Sequence, residues 1–238
     1  MRFMVMHKVD AHMEAGEPPP SRIVQDMGAY VQAGIKAGVF KDGAGLHASA
    51  RRVRLGFEGG RRTVTHGPLQ GGNELLASFA MVQAASMDSA IDLASRVARV
   101  LGDTEIEIGP VVEPWDLGLM AKPATAPLRF LLLRKADRAF EAGAAAPAAL
   151  KPLMDELGQG GVLLSGATLA PSARGARYKK TAGGRTWIDG PFTESKELVA
   201  GFSIIEVPSI AEAKVWSEGY AAILGDNEVD VRVVAEAL

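Results

Sequence analysis

The sequence predicts an α+β fold in which two tandem ferredoxin-like βαββαβ repeats pack sheet to sheet as an intramolecular dimeric α+β barrel. Three observations lead there. A constant shift of 123 residues lays most of the first half of the chain onto the second. Each half reads strand, helix, strand, polar hairpin, strand, helix, strand. The main strands are apolar at consecutive positions, so both of their faces must be covered.

The repeat comes first, because it sets the units in which everything else is read. The shift of 123 carries Gly43-Ala44 onto Gly166-Ala167, Arg54 onto Arg177, Arg62-Thr63 onto Arg185-Thr186 and His66 onto Asp189. It continues without a gap through Leu101-Gly102-Asp103 onto Leu224-Gly225-Asp226 and Glu113 onto Glu236. At the start, Arg2-Phe3 meets Arg129-Phe130 at a shift of 127, so the first copy holds four extra residues near GEPPP (16–20). A surface loop tolerates such an insertion. The copies span 1–113 and 128–238, and Pro114, Pro123 and Pro127 punctuate a linker over 114–127.

Each element has its own warrant. RFMVMH (2–7) and RFLLLR (129–134) are apolar runs of strand length. SRIVQDMGAYVQAGIKAG (21–38) and LKPLMDELGQG (150–160) follow as helices, the second with Leu150, Leu153, Met154 and Leu157 at three- and four-residue spacing. GVFKDGAGL (38–46) and GVLLSGATL (161–169) are strands, and the Gly-rich turns EGGR (58–61) and AGGR (182–185) close hairpins. LASFAMVQA (76–84) and VAGFSIIEV (199–207) are buried strands. Ser86 and Ser209 cap the next helices, and Glu212 completes a capping box with Ser209. EIEIGPVVE (105–113) and EVDVRVVAE (228–236) alternate apolar with polar as closing strands. Helices cover only one face of each sheet. The other apolar face is expected to meet the sister sheet, leaving an interior cleft between the two.

With 47% hydrophobic and 23% charged residues and a net charge of −2, the chain belongs to the globular class. It has no cysteine, which excludes disulfides, thiolate nucleophiles and Cys-based zinc sites. The apolar run in MRFMVMHKVD is too short for a signal segment, and no stretch approaches the roughly 20 apolar residues that span a bilayer. A cytoplasmic protein with no membrane association is expected.

The run DGPF at Asp189–Phe192, followed by Glu194, Lys196, Glu197 and then Gly201-Phe202, resembles the motif of the YCII-related domain family, in its DGPF subgroup. GVLLSGATLAPS (161–172) is similar to the family's strand and turn after its first helix, and the first half, with His66-Gly67-Pro68, enters through the repeat in degenerate form. The resemblance implies a dimeric α+β barrel. It also implies kinship with enzymes acting on small ring compounds, one branch being a dehydrochlorinase of chlorinated hydroxyquinols, and an association with extracytoplasmic-function sigma factors. The family's enzymatic branch carries a His near the start of the first helix and an Asp near its end. The matching positions here fall near Ala149 and Gln159, and near Asp26 and Lys36, so neither copy has the pair.

The chemistry is therefore sought among the residues present. Asp189 precedes Gly-Pro, where an Asp commonly caps its own turn; its other role is a carboxylate facing the cleft. Its counterpart His66 is a candidate general base near neutral pH, as is His7 on the first strand opposite Arg134. Lys196 and Glu197 are neighbours at the mouth of a buried strand, so at most one faces the cleft. Glu197 persists as Glu74 while Lys196 becomes Asn73, which favours Lys196 as the ligand-facing residue. Arg54 and Arg177, kept in register, suit a carboxylate or phenolate. Four histidines without HxH or HExxH spacing predict no metal. GAGLHA (43–48) leads into a hairpin, not a helix, so no dinucleotide cofactor is expected. The basic hairpins RRVRLGFEGGRR (51–62) and ARGARYKKTAGGR (173–185) sit in an overall acidic chain and are read as solvated faces that bind no nucleic acid. Two readings stand side by side: a binder of a small anionic or aromatic ligand, with isomerase, lyase or hydrolase chemistry, and a non-catalytic partner, for example of a sigma factor. Further homo-oligomerisation is left open.

Overall fold

The computed structural model describes residues 1–181 and 183–238, with Glu236 and Ala237 described as backbone only. Ala182 of the AGGR turn and the side chain of Glu236, the counterpart of Glu113, lie outside the described residues. The first copy forms β1 (Arg2–Lys8), α1 (Ala11–Glu14), α2 (Ser21–Lys36), β2 (Phe40–Leu46), β3 (Val53–Glu58), β4 (Arg61–His66), β5 (Leu76–Ala84), α3 (Met87–Leu101) and β6 (Thr104–Val112). The second forms β7 (Leu128–Lys135), α4 (Arg138–Glu141), α5 (Leu150–Gln159), β8 (Leu163–Leu169), β9 (Ala176–Thr181), β10 (Gly184–Asp189), β11 (Val199–Glu206), α6 (Ile210–Ile223) and β12 (Val229–Ala237). The single-turn helices α1 and α4 add to the expected order. Asp10 and Asp137 cap them, accepting hydrogen bonds from the backbone N–H groups of Met13 and Phe140.

Eight strands close into an antiparallel barrel in the order β1-β11-β2-β6-β7-β5-β8-β12, with β12 pairing back onto β1. The hairpins β3-β4 and β9-β10 continue outward from β6 and β12.

The pairing distributes the strands differently from the expectation of one sheet per repeat. One half of the barrel, β12-β1-β11-β2, takes its outer pair of repeat positions from both copies, and so does the other, β6-β7-β5-β8. In each, the first two strands of one copy meet the last two of the other. The helices follow: α2 packs on α6 and α3 on α5, each pair joining the copies. Repeats with the same alternation offer equivalent edges, so the pattern specifies register but not which copy supplies the neighbour. The exchange is made by the loops before β5 and β11, which cross closely. A Cβ at Gly71 would lie 1.9 Å from the Lys196 carbonyl oxygen, which is why a glycine stands there.

Consecutive apolar residues do face opposite layers. On β1, Met4 and Met6 enter the barrel while Phe3 and Val5 pack under α6. Leu131 and Leu133 of β7 point inward, and Phe130 and Leu132 meet α3 and α5. Each such side chain contributes about 1.5–3 kcal/mol by leaving water. The interior is filled by Met4, Met6, Met81, Leu131, Leu133 and the Phe79 and Phe202 rings, whose centroids are 5.4 Å apart. The interior cleft expected between two sheets is thus an apolar core, because both inner faces carry large side chains. Among the described residues no helix is long and apolar enough to cross a membrane.

Candidate functional site

In the antiparallel barrel, β1 and β7 run in one direction and β6 and β12 in the other. Their C- and N-terminal ends therefore share one rim. Side-chain alternation brings Lys8 and Lys135 inward after Met6 and Leu133, and brings Glu107 and Asp230 inward beside them. Two charged clusters result. In the first, Lys135 pairs with Glu74 and, at 3.1 Å, with Glu107. Glu107 also meets Arg52 at 3.0 Å and Arg54 at 3.1 Å, and Arg54 meets Glu74 at 2.9 Å. In the second, Lys8 pairs with Asp230 at 2.8 Å, Arg177 grips both Asp230 oxygens at 2.5 and 3.0 Å, and Lys8 donates to Ser195 Oγ at 2.9 Å. The Glu74 N–H donates to the Ser195 carbonyl at 2.7 Å and joins the clusters.

Burial by itself would raise the Glu107 carboxyl, but Lys135, Arg52 and Arg54 outweigh it and hold the pKa down at about 2. Asp230 behaves alike: burial opposes ionisation, while Lys8 and Arg177 keep the pKa at about 2. Both remain charged throughout the physiological range. Each cluster also contains a second guanidinium, supplied from non-equivalent positions, Arg52 before β3 and Arg232 on β12. Arg52 donates to the carbonyls of His47 and Val199, both at 2.7 Å, and faces Gly109. Arg232 donates to the Ala170 carbonyl at 2.6 Å and faces Gly175, where a Cβ would sit 2.9 Å from Arg232 Cδ.

The Gly-Pro turns cover the same rim. A Cβ at Gly67 or Gly190 would lie 1.8 or 1.9 Å from the carbonyl oxygen of Ser49 or Ser172, so only glycine fits. Ser49 Oγ accepts from the Leu69 N–H at 2.8 Å and donates to Glu14. Ser172 Oγ accepts from the Phe192 N–H at 3.0 Å and donates to Glu141 at 2.5 Å. The polar residues of these turns therefore serve the chain's own packing. Asp189 takes no part in this: its carboxylate is exposed and pairs with Lys214 at 2.6 Å instead of capping its turn.

Beside the Gly-Pro turns the two copies diverge. Next to the second turn, Phe192 and Phe140 pack with Leu75, Ala77 and Ala136, and Arg177 lies 4.5 Å over the Phe192 ring. Where their counterparts Leu69 and Met13 stand, a groove of about 420 Å³ is lined by the apolar Val9, Leu69 and Leu198 and by the charged Asp10, Glu14, Lys196 and Glu197. Glu74 is 0% exposed within the first cluster, whereas its counterpart Glu197 is exposed at the groove.

The residues singled out from sequence fall into separate places. Lys196 and Glu197 share the groove, and Arg54 and Arg177 anchor the two clusters beneath the same rim. His7 points away from the barrel interior, with Nδ1 hydrogen-bonded to the Tyr220 hydroxyl at 2.7 Å. Burial, then Arg52 and Lys8, lower its pKa to about 4 against the opposing pull of Asp10. His66 and Asp189 end the exposed edge strands β4 and β10, apart from His7 and from the groove. Where the family's His–Asp pair would fall, Asp26 is exposed and pairs with Arg22 at 3.3 Å, Ala149 precedes α5 and Gln159 ends it. Sequence reasoning missed Lys8, Lys135, Glu107, Asp230 and Ser195. A signal existed: Lys8 meets Lys135 at the shift of 127, and Glu107 meets Asp230 at 123.

No curated protein and no solved structure matches the chain. The family model of the YCII-related domain matches residues 1–113 and again residues 128–235, so this chain, with its two barrel-forming copies, belongs to the YCII-related domain family.

Proposed function

We propose that the protein binds a small anionic or aromatic ligand in the groove at the barrel rim, and that only one of the two equivalent positions does so. The observation that carries this is the asymmetry: Phe140 and Phe192 fill one position, while Met13 and Leu69 leave the other open. A flat apolar body fits against Val9, Leu69 and Leu198, and Lys196, at 72% side-chain exposure, can exchange its surface pairing with Glu194 for an anionic group of the ligand. Acid–base chemistry of the isomerase, lyase or hydrolase kind would fall to Glu197, the carboxylate released from the role that Glu74 keeps. The packed interior supports a ligand at the rim of the sheets and not between them.

A thermal-shift screen of aromatic carboxylates, phenols and quinols tests this on the wild type, Lys196→Ala and Leu69→Phe, the last importing the plug of the sister position. Binding to the native state at a hundredfold excess over Kd stabilises by about 2.7 kcal/mol, which raises the Tm of a chain this long by several degrees. The expected result is a shift in wild type that both variants lose. A shift that survives Leu69→Phe, or none in wild type, removes the groove from consideration.

A further inference from the structure

The helix layers on the outside of the barrel differ at one place. Under α6, the His7–Tyr220 pair is backed by Trp216, stacked on Tyr220 at 5.4 Å, and by Tyr30 at 5.2 Å from Trp216. Gly201 makes room for the His7 ring. The repeat replaces His7 by Arg134, Tyr220 by Val97, Trp216 by Leu93, Tyr30 by Leu153 and Gly201 by Ser78. Four rings are gone. Under α3 and α5 the corresponding space remains as a cavity of about 30 Å³ with almost wholly apolar walls, including Leu93, Val97, Leu132 and Met154, and with Ser78 and Arg134 at one end. A cavity of that size has room for one or two water-sized groups, and apolar walls keep it dry.

Arg134 is unusual among the half-buried arginines. Arg54, Arg129 and Arg177 each grip a carboxylate. Among the described residues Arg134 has none within 4.0 Å, and its one side-chain contact is Nε to Thr104 Oγ1 at 3.4 Å. Ser78, 8% exposed, lines the same cavity. Burial depresses the Arg134 pKa, with Asp137 only partly opposing it, as befits a cation short of a counter-charge. A guanidinium with no carboxylate partner and a hydroxyl, both lining an otherwise apolar space, are complementary to a carboxylate bearing a short hydrocarbon tail.

We infer that the pocket between α3, α5 and the sheet binds a short-chain aliphatic carboxylate, its tail in the cavity and its carboxylate on Arg134, with Ser78 as second donor. This site is separate from the rim groove and stands whether or not the groove binds anything.

Methyl-resolved NMR titration with propionate, whose tail is two carbons, tests it, with 1-propanol as the uncharged control. In wild type, propionate is expected to shift the Leu93, Val97 and Leu132 methyls saturably, and 1-propanol to do so far more weakly. Arg134→Met should weaken propionate at least about tenfold, the scale of a lost charge-assisted hydrogen bond. Val97→Phe, which refills the space as Tyr220 does, should abolish binding. The inference is overturned if wild type shows no saturable shift, if 1-propanol matches propionate, or if Arg134→Met binds as wild type does. Should Arg134→Met lose its folded spectrum, the propionate against propanol comparison on wild type and the Val97→Phe titration decide alone.

Discussion

The two charged clusters at the rim descend from the same residues and have been put to different uses. Lys135 is held by two carboxylates, Glu74 and Glu107, both 0% exposed. Lys8 is held by Asp230 and the Ser195 hydroxyl, while Glu197, the residue equivalent to Glu74, has moved out to the groove. What the copies share, a lysine at the end of the first strand, an arginine on the hairpin and a carboxylate on the last strand, is what closing the barrel rim requires. What they do not share lies at the rim's surface. The same residue type at equivalent positions is therefore no guide to role: Glu74 is a buried counter-ion and Glu197 is an exposed carboxylate at the groove.

The largest effect expected from this contrast is on stability. Glu74→Ala leaves Lys135 and Arg54 short of a buried partner and should cost about 3–5 kcal/mol, as removing one member of a buried pair does. Glu197→Ala, at an exposed position, should stay within about 0.5 kcal/mol. Urea unfolding of the two variants decides. Equal costs would mean that both glutamates carry structure and that the groove has no released carboxylate.

Next in size is a pH effect confined to one helix layer. His7 and Arg134 are equivalent, but only His7 has an ordinary pKa near neutrality. Its folded pKa of about 4 lies below the unfolded value of 6.5, so the folded state holds it neutral. Its contribution is fully present above pH 6.5 and is lost as pH falls towards 4, because only the unfolded chain gains a proton there. At about 1.4 kcal/mol per unit, the loss approaches roughly 3 kcal/mol. His7→Gln should flatten the stability profile across that window. Glu107 and Asp230, with folded pKa values of about 2, add a separate loss that begins only below about pH 4. A wild-type profile that is flat between pH 6.5 and 4 would show that His7 is not held neutral by its surroundings.

These contrasts also mark what was legible in the sequence. The repeat, the order of elements and the two-sided burial of strands such as RFLLLR were readable because they rest on local periodicity. The exchange of strands between copies was not, since Phe3 and Phe130 sit in identical patterns and either copy's neighbour satisfies them. Lys8 and Glu107 stand in the sequence as single charges near strand ends. Their partners, Asp230 and Lys135, reach them only through strand pairing in the barrel, which sets the C-terminal ends of β1 and β7 beside the N-terminal ends of β12 and β6. The groove was invisible for another reason: it exists through the difference between Leu69 and Phe192, and side-chain volume at a turn leaves no periodic trace.

The smallest effect concerns the residue that looked most chemical. Asp189 opens the DGPF run, yet its side chain is 76% exposed and its partner Lys214 lies on the adjacent helix at 2.6 Å. An ion pair in that setting contributes about 0.2–1 kcal/mol and weakens with salt. Asp189→His, which installs the residue found at position 66, should therefore lower stability by less than 1 kcal/mol, and a double-mutant cycle with Lys214→Ala should recover most of that as coupling. The neighbouring Gly190→Ala should cost far more, because its Cβ would meet the Ser172 carbonyl at 1.9 Å. If Asp189→His proved the costlier change, the turn would be held by its carboxylate and not by the close backbone approach of its glycine.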